Sequence, residues 1–408
     1  MNTDNSKSPI LSKNVSSSNG LEPLLRFPEF KDNWNQKTLK DIISENLHPI
    51  EMPKTDYERL GLYCHAKGTF HEIVPVDKAL DVDTMYVVPK DNLIVNITFA
   101  WEHAIAITTE KDAGKLVSHR FPTYCFNNGH FYKFYKYAIL RNRFRYELGV
   151  ASPGGAGRNR VLNKKAFLEI PMLVPSLQEQ EKIAEFLFLV DERIEQQRQL
   201  VEALKRYKRG LFSLLFNNKT TNYVLSDLIK FGKAGGTPDS GNPYFYNGNI
   251  PFLSIADMTS QGKYLTKTEK HISDLGVKNS AAWIVPPKSL IISMYASYGL
   301  VAINDIELTT SQAMFNIITK DSEDIEYLYY YLTYLSFTGY YAKMVSTGTQ
   351  PNLNAEKIRN IPVYIPNKSE KKFITDLLSN FERRENAEDN HLDLLLNVKS
   401  ALLQQMFA

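Results

Sequence analysis

Several segments of the chain carry residue types that could hold a cofactor or a metal. Glycine-rich stretches, which cradle phosphates when correctly spaced, occur at residues 154–157 and 233–241, but neither has the G-x-x-x-x-G-K-[ST] spacing of a nucleotide-binding loop. Cys64, His65 and His71 could begin a zinc site, yet no fourth ligand of matching spacing follows them. These patterns do not favour an NTPase or a zinc enzyme.

Two further patterns concern methylation and acid–base chemistry. Residues 242–245 read NPYF, which lacks the second proline of the Asn-Pro-Pro-aromatic motif of base methyltransferases, and no glycine-rich cofactor loop precedes them. Glu102 and His103 could form an acid–base pair, although an isolated pair on a strand edge is more often structural or ligand-contacting. One function to consider is therefore that of a stand-alone or fused restriction or methylation enzyme, but no motif in the chain supports it.

The strongest chemical signal is a local concentration of positive charge. Residues 128–165 contain nine Lys or Arg and one acidic residue, Glu147, interleaved with Phe and Tyr. This mixture is typical of phosphate contact with aromatic packing beneath it, although a solvated helix face can have the same composition. We predict DNA contacts at Lys133, Lys136, Arg141, Arg143, Arg145, Arg158 and Arg160.

The second half of the chain has no comparable basic segment. Residues 219–366 carry twelve basic and twelve acidic residues, so DNA contact there would depend on polar and aromatic loops. Their hydroxyls, amides and small residues suit a DNA groove, although ordinary surface loops share this composition. The predicted contacts are Thr237, Ser293, Tyr295, Tyr298, Gln312, Thr347, Thr349 and Gln350.

The elements that position these residues form an internal repeat, with two copies in the chain. Residues 162–216 align without gaps on residues 353–407, at an offset of 191, with 13 identities in 55 positions. In each copy a two-proline extended segment precedes a helix start with the spacing of a capping box. The capping residues would be Ser176 with Glu179 in the first copy, and Asn367 with Glu370 in the second.

The globular parts repeat more loosely. Residues 87–97 align with 284–294, the segment from Leu116 aligns with that from Leu308, and a glycine-rich loop precedes each Leu-Asn pair. Strands are kept while loops change length, as expected of one scaffold with two specificities. The predicted order is a disordered tail (1–20), a globular domain (21–175), a helix (176–216), a second globular domain (217–366) and a second helix (367–408).

Both predicted helices show heptad spacing of apolar residues. The first, with 41 residues, would be about 60 Å long at about 1.5 Å per residue, too long to bury within one domain. We therefore predict an antiparallel coiled coil with pseudo-two-fold symmetry, inexact where Glu385 stands in place of Ile194. Its predicted interface residues are Ile183, Leu187, Val190, Ile194, Val201, Leu204, Leu211, Ile374, Leu378, Phe381, Leu392, Leu395 and Leu402.

Composition limits the class of protein. The chain has 408 residues, 43% of them apolar, and a net charge of +3, which suits a folded globular protein of two or three domains. The fold class that we predict from the strands and long helices together is α+β. Cys64 and Cys125 are too few for a disulfide framework, which fits a reducing cytoplasm. The N-terminus has no apolar signal segment, and the Tyr-rich run at residues 327–342 is too polar to span a membrane.

The chain resembles the specificity subunit of type I restriction-modification systems. The resemblance is carried by residues 25–42, 234–258 and 349–366, and by the two helices ending in KRYKRGLFSLLF and VKSALLQQMF. It implies two target-recognition domains, each reading one half of a bipartite DNA sequence, with the two helices as a spacer. It also implies that the subunit has no catalysis of its own.

The resemblance further implies partners on double-stranded DNA. Two methyltransferase subunits would supply the S-adenosylmethionine chemistry, and two restriction subunits would use ATP and magnesium for translocation and cleavage. The chain itself would bind no cofactor or metal, and it would act in the cytoplasm.

Overall fold

The chain divides into two compact units. The structure, a computed structural model, describes residues 12–13, 22–154, 160–295, 297–344 and 353–407. The first unit comprises Met1–Arg198 with His391–Ala408, and the second comprises Gln199–Asn390. Each unit therefore takes part of each predicted long helix.

The first unit combines short strands with short helices. Its strands are β1 (Ser12–Lys13), β2 (Leu25–Arg26), β3 (Asn35–Thr38), β4 (Ile43–Glu45), β5 (Pro49–Glu51), β6 (Tyr57–Leu62), β7 (Thr69–Val74), β8 (Thr84–Val87), β9 (Leu93–Val95), β10 (Ile105–Ile107), β11 (Leu116–Val117), β12 (Thr123–Phe126) and β13 (Pro171–Val174). Its short helices are α1 (Leu39–Ile42), α2 (Tyr132–Ala138), α3 (Asn142–Val150) and α4 (Lys164–Leu168), with 3₁₀ turns at Val76–Lys78 and Ala100–Glu102. β1 pairs with β2, although Ser12 and Lys13 lie in the segment predicted as a tail.

Two sheets organise the first unit. One has the strand order β10-β9-β12-β4 and the other β5-β8-β11-β6-β7, in which β11 and β6 are parallel. β9 is an unbroken apolar run because both of its faces are covered. Leu93 and Val95 pack with the buried side chains of α2 and α3, whereas Ile94 packs with Leu60 and Val117 of the other sheet.

The second unit and the long helices complete the chain. The long helices are α5 (Leu177–Phe216) and α12 (Lys368–Gln405). The strands are β14 (Tyr223–Val224), β15 (Ile229–Ala234), β16 (Ile250–Leu253), β17 (Tyr264–Leu265), β18 (Lys270–Ile272), β19 (Leu290–Ser293), β20 (Val301–Asn304), β21 (Thr309–Thr310), β22 (Met314–Thr319) and β23 (Pro362–Val363). The short helices are α6 (Leu225–Leu228), α7 (Ile255–Gln261), α8 (Asp274–Lys278), α9 (Asp324–Phe337), α10 (Tyr340–Met344) and α11 (Ala355–Arg359), with a 3₁₀ turn at Pro243–Phe245.

The second unit repeats the sheets of the first. Its strand order β20-β19-β22-β15 matches β10-β9-β12-β4, with β17 added beside β20. The order β18-β16-β21 matches β7-β6-β11, and β16 and β21 are parallel, as β6 and β11 are. β19 is buried on both faces like β9, since Leu290 and Ile292 pack in one core and Ile291 in another. The predicted correspondence of residues 87–97 and 284–294 is therefore confirmed.

The long helices pack antiparallel, as predicted. In the first unit, Lys399 Nζ lies 2.6 Å from a carboxylate oxygen of Asp191. In the second unit, Lys205 Nζ lies 3.7 Å from Asp389 and Lys208 Nζ lies 2.9 Å from Glu385, so rising numbers on α5 meet falling numbers on α12. Lys208 thus neutralises the carboxylate that replaces an apolar residue in the second copy.

The predicted interface residues of the two helices differ in burial. Those that are buried are Ile183, Leu187, Ile194, Val201, Leu204, Ile374 and Leu378. Those that are half-buried are Val190, Leu211, Phe381, Leu392, Leu395 and Leu402. The α5 side of the seam is therefore more completely covered than the α12 side.

Each long helix ends against a globular part. In the first unit, the ring of Phe407 lies 5.4 Å from Phe134 and 6.5 Å from Trp34, measured between ring centroids. In the second unit, the ring of Phe216 lies 5.9 Å from Tyr327. Phe216 and Phe407 are equivalent in the repeat, so the same contact holds both helix ends.

The predicted capping boxes are only half formed. Ser176 Oγ accepts a hydrogen bond from the backbone N–H of Glu179 at 3.3 Å, and Asn367 caps α12 in the same way. The carboxylate of Glu179 does not return to the N-cap, because it accepts hydrogen bonds from Arg26 Nε at 2.7 Å and from Trp34. Arg26 and Glu179 are 4% and 1% exposed, so this ion pair ties the start of α5 to β2 inside the core.

Candidate nucleic-acid interface

An open groove lies between α3 and the Ala100–Glu102 turn of the first unit. Its volume is about 500 Å³. Guanidinium and amide groups on the walls of such a groove can donate hydrogen bonds to phosphates or base edges. The lining residues are Trp101, Asn142, Arg145, Tyr146, Gly149, Val150 and Arg160.

The arginines of α3 are the freest predicted DNA contacts in this region. Arg143 and Arg145 are exposed, and neither guanidinium has a hydrogen bond or ion pair with any residue that the structure describes. Arg141 is half-buried at the N-cap of α3, where burial and the neighbouring Arg143 lower its pKa. α3 thus offers Arg143 and Arg145 directly to solvent and Arg141 only in part.

Of the two arginines predicted as DNA contacts in the glycine-rich loop, the structure describes only Arg160. Arg158 lies outside the described residues. Arg160 is half-buried, and its Nε donates to the carbonyl oxygen of Ser152 at 2.9 Å while its guanidinium lies 5.6 Å over the ring of Trp101. A second nitrogen donates to the carbonyl oxygen of Gly149. Arg160 therefore closes the C-terminal end of α3 and forms one wall of the groove.

The predicted lysines of α2 are divided between solvent and the helix α5. Lys133 is exposed, with its ammonium 5.9 Å from the ring centres of Phe131 and Tyr132. Lys136 Nζ lies 3.6 Å from the carboxylate of Asp191, which also accepts a hydrogen bond from Tyr137. Part of the positive charge of the basic segment is thus neutralised within the fold.

In the second unit, two predicted contacts meet at one point. Thr237 Oγ1 donates a hydrogen bond to Gln312 Oε1, and both side chains are exposed. Thr237 also lines an open groove of about 670 Å³ together with Ser240, Lys270 and His271. Tyr295 is 39% exposed and Tyr298 is half-buried on the loop after β19. Thr347, Thr349 and Gln350 lie outside the described residues.

The prediction for Ser293 is corrected by the structure. Its side chain is completely buried, its hydroxyl donates to the carbonyl oxygen of Ser297 at 2.6 Å, and it accepts from the N–H of Leu300 at 3.0 Å. Ser293 therefore fixes the loop instead of reaching DNA. Gly299 is also structural, because its φ of +79° favours glycine and an added Cβ would lie 2.3 Å from the ring of Tyr341.

Three segments converge at an equivalent point in each unit, which we call the junction. In the first unit, the N–H of Ile97 donates to the carbonyl oxygen of Arg120 at 3.0 Å, and the N–H of Leu162 donates to the carbonyl oxygen of Ile97 at 2.8 Å. In the second unit, Met294 is joined in the same way to Ala313 at 2.7 Å and to Leu353 at 3.0 Å. The junction thus gathers the loop after β9 or β19, the connection before β12 or β22, and the end of the glycine-rich loop.

The junction includes residues that the sequence prediction missed. Phe99 is 40% exposed, and His119 and Arg120 are exposed on the connection before β12. The alignment of the segment from Leu116 with that from Leu308 already places Arg120 opposite Gln312. The sequence alignment could therefore have identified Arg120, but the prediction was based on the higher density of positive charge in residues 128–165.

The groups considered for catalysis have structural roles. Burial, with the neighbouring Glu102, raises the pKa of the Cys64 thiol to about 11, which disfavours the reactive thiolate. His103 is buried with Nε2 2.7 Å from the carbonyl oxygen of Ile139, and desolvation lowers its pKa. Glu102 and His103 therefore face different partners.

The described residues meet neither the requirements of a metal site nor those of a membrane-spanning helix. Within the described residues, His, Cys, Asp and Glu side chains form no group of three or more that could hold a metal ion. Across the same residues, no helix is both long enough and apolar enough to cross a membrane.

Comparison with protein families gives a double match. The model of the type I restriction modification DNA specificity domain matches residues 31–206 and again residues 217–394. Each matched segment contains one copy of the repeated strand order and one junction.

Individual relatives agree with this match. The chain is 34% identical over 146 residues to the type I restriction enzyme HindI specificity subunit of Haemophilus influenzae, which is 36% of this chain and 31% of that protein. It is 29% identical over 149 residues to the MjaIX specificity subunit of Methanocaldococcus jannaschii, which is 36% of this chain and 34% of that protein. The alignments thus span about a third of these curated relatives.

A solved structure is similar in fold over nearly the full length of the chain. The S subunit of a type I restriction-modification system from M. genitalium superposes with a TM-score of 0.57 at 15% identity, covering 95% of this chain and 99% of that one. At this identity, the likeness concerns the fold alone.

Proposed function

Because the chain belongs to the type I restriction modification DNA specificity domain family, we propose that it is a sequence-specific DNA-recognition subunit of a type I restriction-modification complex. Each of its two units would read one half of a bipartite target. The observation that carries this proposal is the double family match, since each matched segment contains a complete copy of the junction. Two copies of one scaffold with different loops are suited to two different half-sites.

The two units would read DNA by different chemistry. The first presents Arg143, Arg145 and Lys133 as exposed cations, which suits phosphate contact and strong dependence on salt. The second presents Thr237 and Gln312, whose hydroxyl and amide suit hydrogen bonds to base edges.

The catalytic steps would belong to partner subunits. The curated relatives are named as specificity subunits of restriction enzymes, and by analogy we assign two methyltransferase and two restriction subunits to this complex. S-adenosylmethionine, ATP and magnesium would be used by those partners in the cytoplasm, and this chain would act as their scaffold. In support, α5 and α12 line an apolar groove of about 790 Å³ in the second unit, where Tyr207 and Leu214 are largely exposed.

Co-expression with the methyltransferase subunit tests the proposal. Sequencing of methylated bases in plasmid DNA should give a motif of two half-sites separated by unspecified bases. The chain expressed alone should give no methylation. Methylation by the purified chain with S-adenosylmethionine and plasmid, or a motif with a single continuous half, would refute the proposal.

A further inference from the structure

Arg120 lies on the segment of the first unit that corresponds to Gln312 in the second. The carbonyl oxygen of Arg120 accepts from Ile97, and the carbonyl oxygen of Ala313, next to Gln312, accepts from Met294. Since Ile97 and Met294 are equivalent in the repeat, these hydrogen bonds place Arg120 opposite Ala313, one position along from Gln312. Arg120 and Gln312 therefore occupy neighbouring positions on the same connection of the junction.

The guanidinium of Arg120 is uncommitted. The side chain is exposed, and no hydrogen bond or ion pair joins it to any residue in the described part of the chain. Its backbone is nevertheless fixed, because the Ile97 hydrogen bond holds its carbonyl and the following N–H, of Phe121, donates to Ser118 at 3.0 Å. A free side chain on a fixed backbone suits recognition of an external partner, whereas Arg160 already binds two carbonyl oxygens of its own unit.

We propose, on the basis of the function proposed above, that Arg120 determines specificity in the first half-site by contacting the edge of a guanine. Arginine donates bidentately to guanine O6 and N7, and glutamine pairs bidentately with adenine N6 and N7. The same connection of both junctions thus carries, at neighbouring positions, a side chain that can read a purine through two hydrogen bonds. The exposed arginines of α3, Arg143 and Arg145, would instead contact phosphates.

Methylation of a plasmid library with randomised half-sites tests this assignment. Variants would be co-expressed with the methyltransferase subunit, and the methylated motif read by sequencing. Arg120→Ala should lose on the order of 10- to 100-fold of discrimination at one position of one half-site and leave the other half-site unchanged. Arg120→Lys, which keeps the charge without the two-pronged geometry, should relax the same position.

Two comparators separate base contact from general charge. Arg143→Ala should lower total methylation at every site, as expected for a phosphate contact. The sequence of the methylated motif should stay the same. Lys111→Ala, which removes an exposed charge in the turn between β10 and β11, should change neither quantity.

The outcomes distinguish the two proposals. An unaltered motif in both Arg120 variants, with or without weaker methylation, would overturn the assignment of Arg120 and leave the proposed function standing. Arg120 and Gln312 belong to different units, so they should alter different half-sites. If Arg120→Ala and Gln312→Ala altered the same half-site, the assignment of Arg120 would also be overturned. Failure of the wild-type complex to methylate any bipartite motif would instead refute the proposed function.

Discussion

The first unit buries a histidine that cannot readily accept a proton. The Nδ1 of His130 lies 2.5 Å from the hydroxyl of Tyr135, and its Nε2 lies 3.1 Å from Lys37 Nζ. Burial, with the positive charge of Lys37 and against the weaker effect of Asp41, lowers the pKa of His130 to about 4. The ring is therefore neutral in the folded protein at pH 5, whereas an unfolded chain would protonate it below about 6.5.

This difference predicts a pH dependence of stability. Between about pH 6.5 and 4 the unfolded chain binds more protons at this position, so the free energy of unfolding falls as the pH falls. The contribution should be on the order of 2–3 kcal/mol and should be absent in His130→Gln. Urea unfolding of both proteins at pH 7 and pH 4.5 isolates it, because other titrating groups are common to the two. Parallel losses of stability in the two proteins would contradict the prediction.

Single residues also show where sequence reasoning stops. The basic segment indicated a charged surface, and Arg143 and Arg145 are exposed on α3. Residue type could not reveal that Arg160 is used by backbone carbonyls or that Ser293 is completely buried. Both facts depend on how a loop folds back, because the side chain meets backbone groups that are only a few residues away in the chain.

Substitutions at the ends of the long helices should destabilise the units against which they pack. Phe407 is 4% exposed and packs against Trp34 and Phe134 in the first unit. Phe407→Ala should destabilise this unit by about 3–5 kcal/mol, because it leaves a cavity in an aromatic cluster. Leu394→Ala, at a largely exposed position of the same helix, should change stability by no more than about 0.5 kcal/mol. Denaturant unfolding measures both, and equal effects would contradict this account of the helix end.

The helices and strands differ in how far the sequence predicts them. The heptads of α5 and α12 indicate which helix faces are buried, because this depends on local periodicity. Together with the repeat at offset 191, they were sufficient to predict an antiparallel pair. The strand order was not predicted, since pairings such as β12 with β4 join residues about 80 positions apart. The predicted capping box at Ser176 forms only in part, because Arg26 binds the carboxylate of Glu179 from outside the helix.

At the scale of the whole molecule, the repeat predicts two docking sites for one kind of partner. Tyr207 and Leu214 are exposed on α5 in the second unit, and Leu394 and Val398 are exposed on α12 in the first. The repeat places Val398 at the position of Tyr207, so related apolar surfaces occur in both units. Exposed apolar patches of this kind mark protein interfaces.

Native mass spectrometry of the complex with the methyltransferase subunit tests this prediction. Replacing Tyr207 and Leu214 by Glu should reduce the bound methyltransferase subunits from two to one, and replacing Leu394 and Val398 by Glu should do the same. All four changes together should leave none, because a buried carboxylate without a partner opposes association. Gln196→Glu, which adds a charge at an exposed polar position of α5, should retain both. Two bound subunits in the fourfold variant would place the partner elsewhere on the chain.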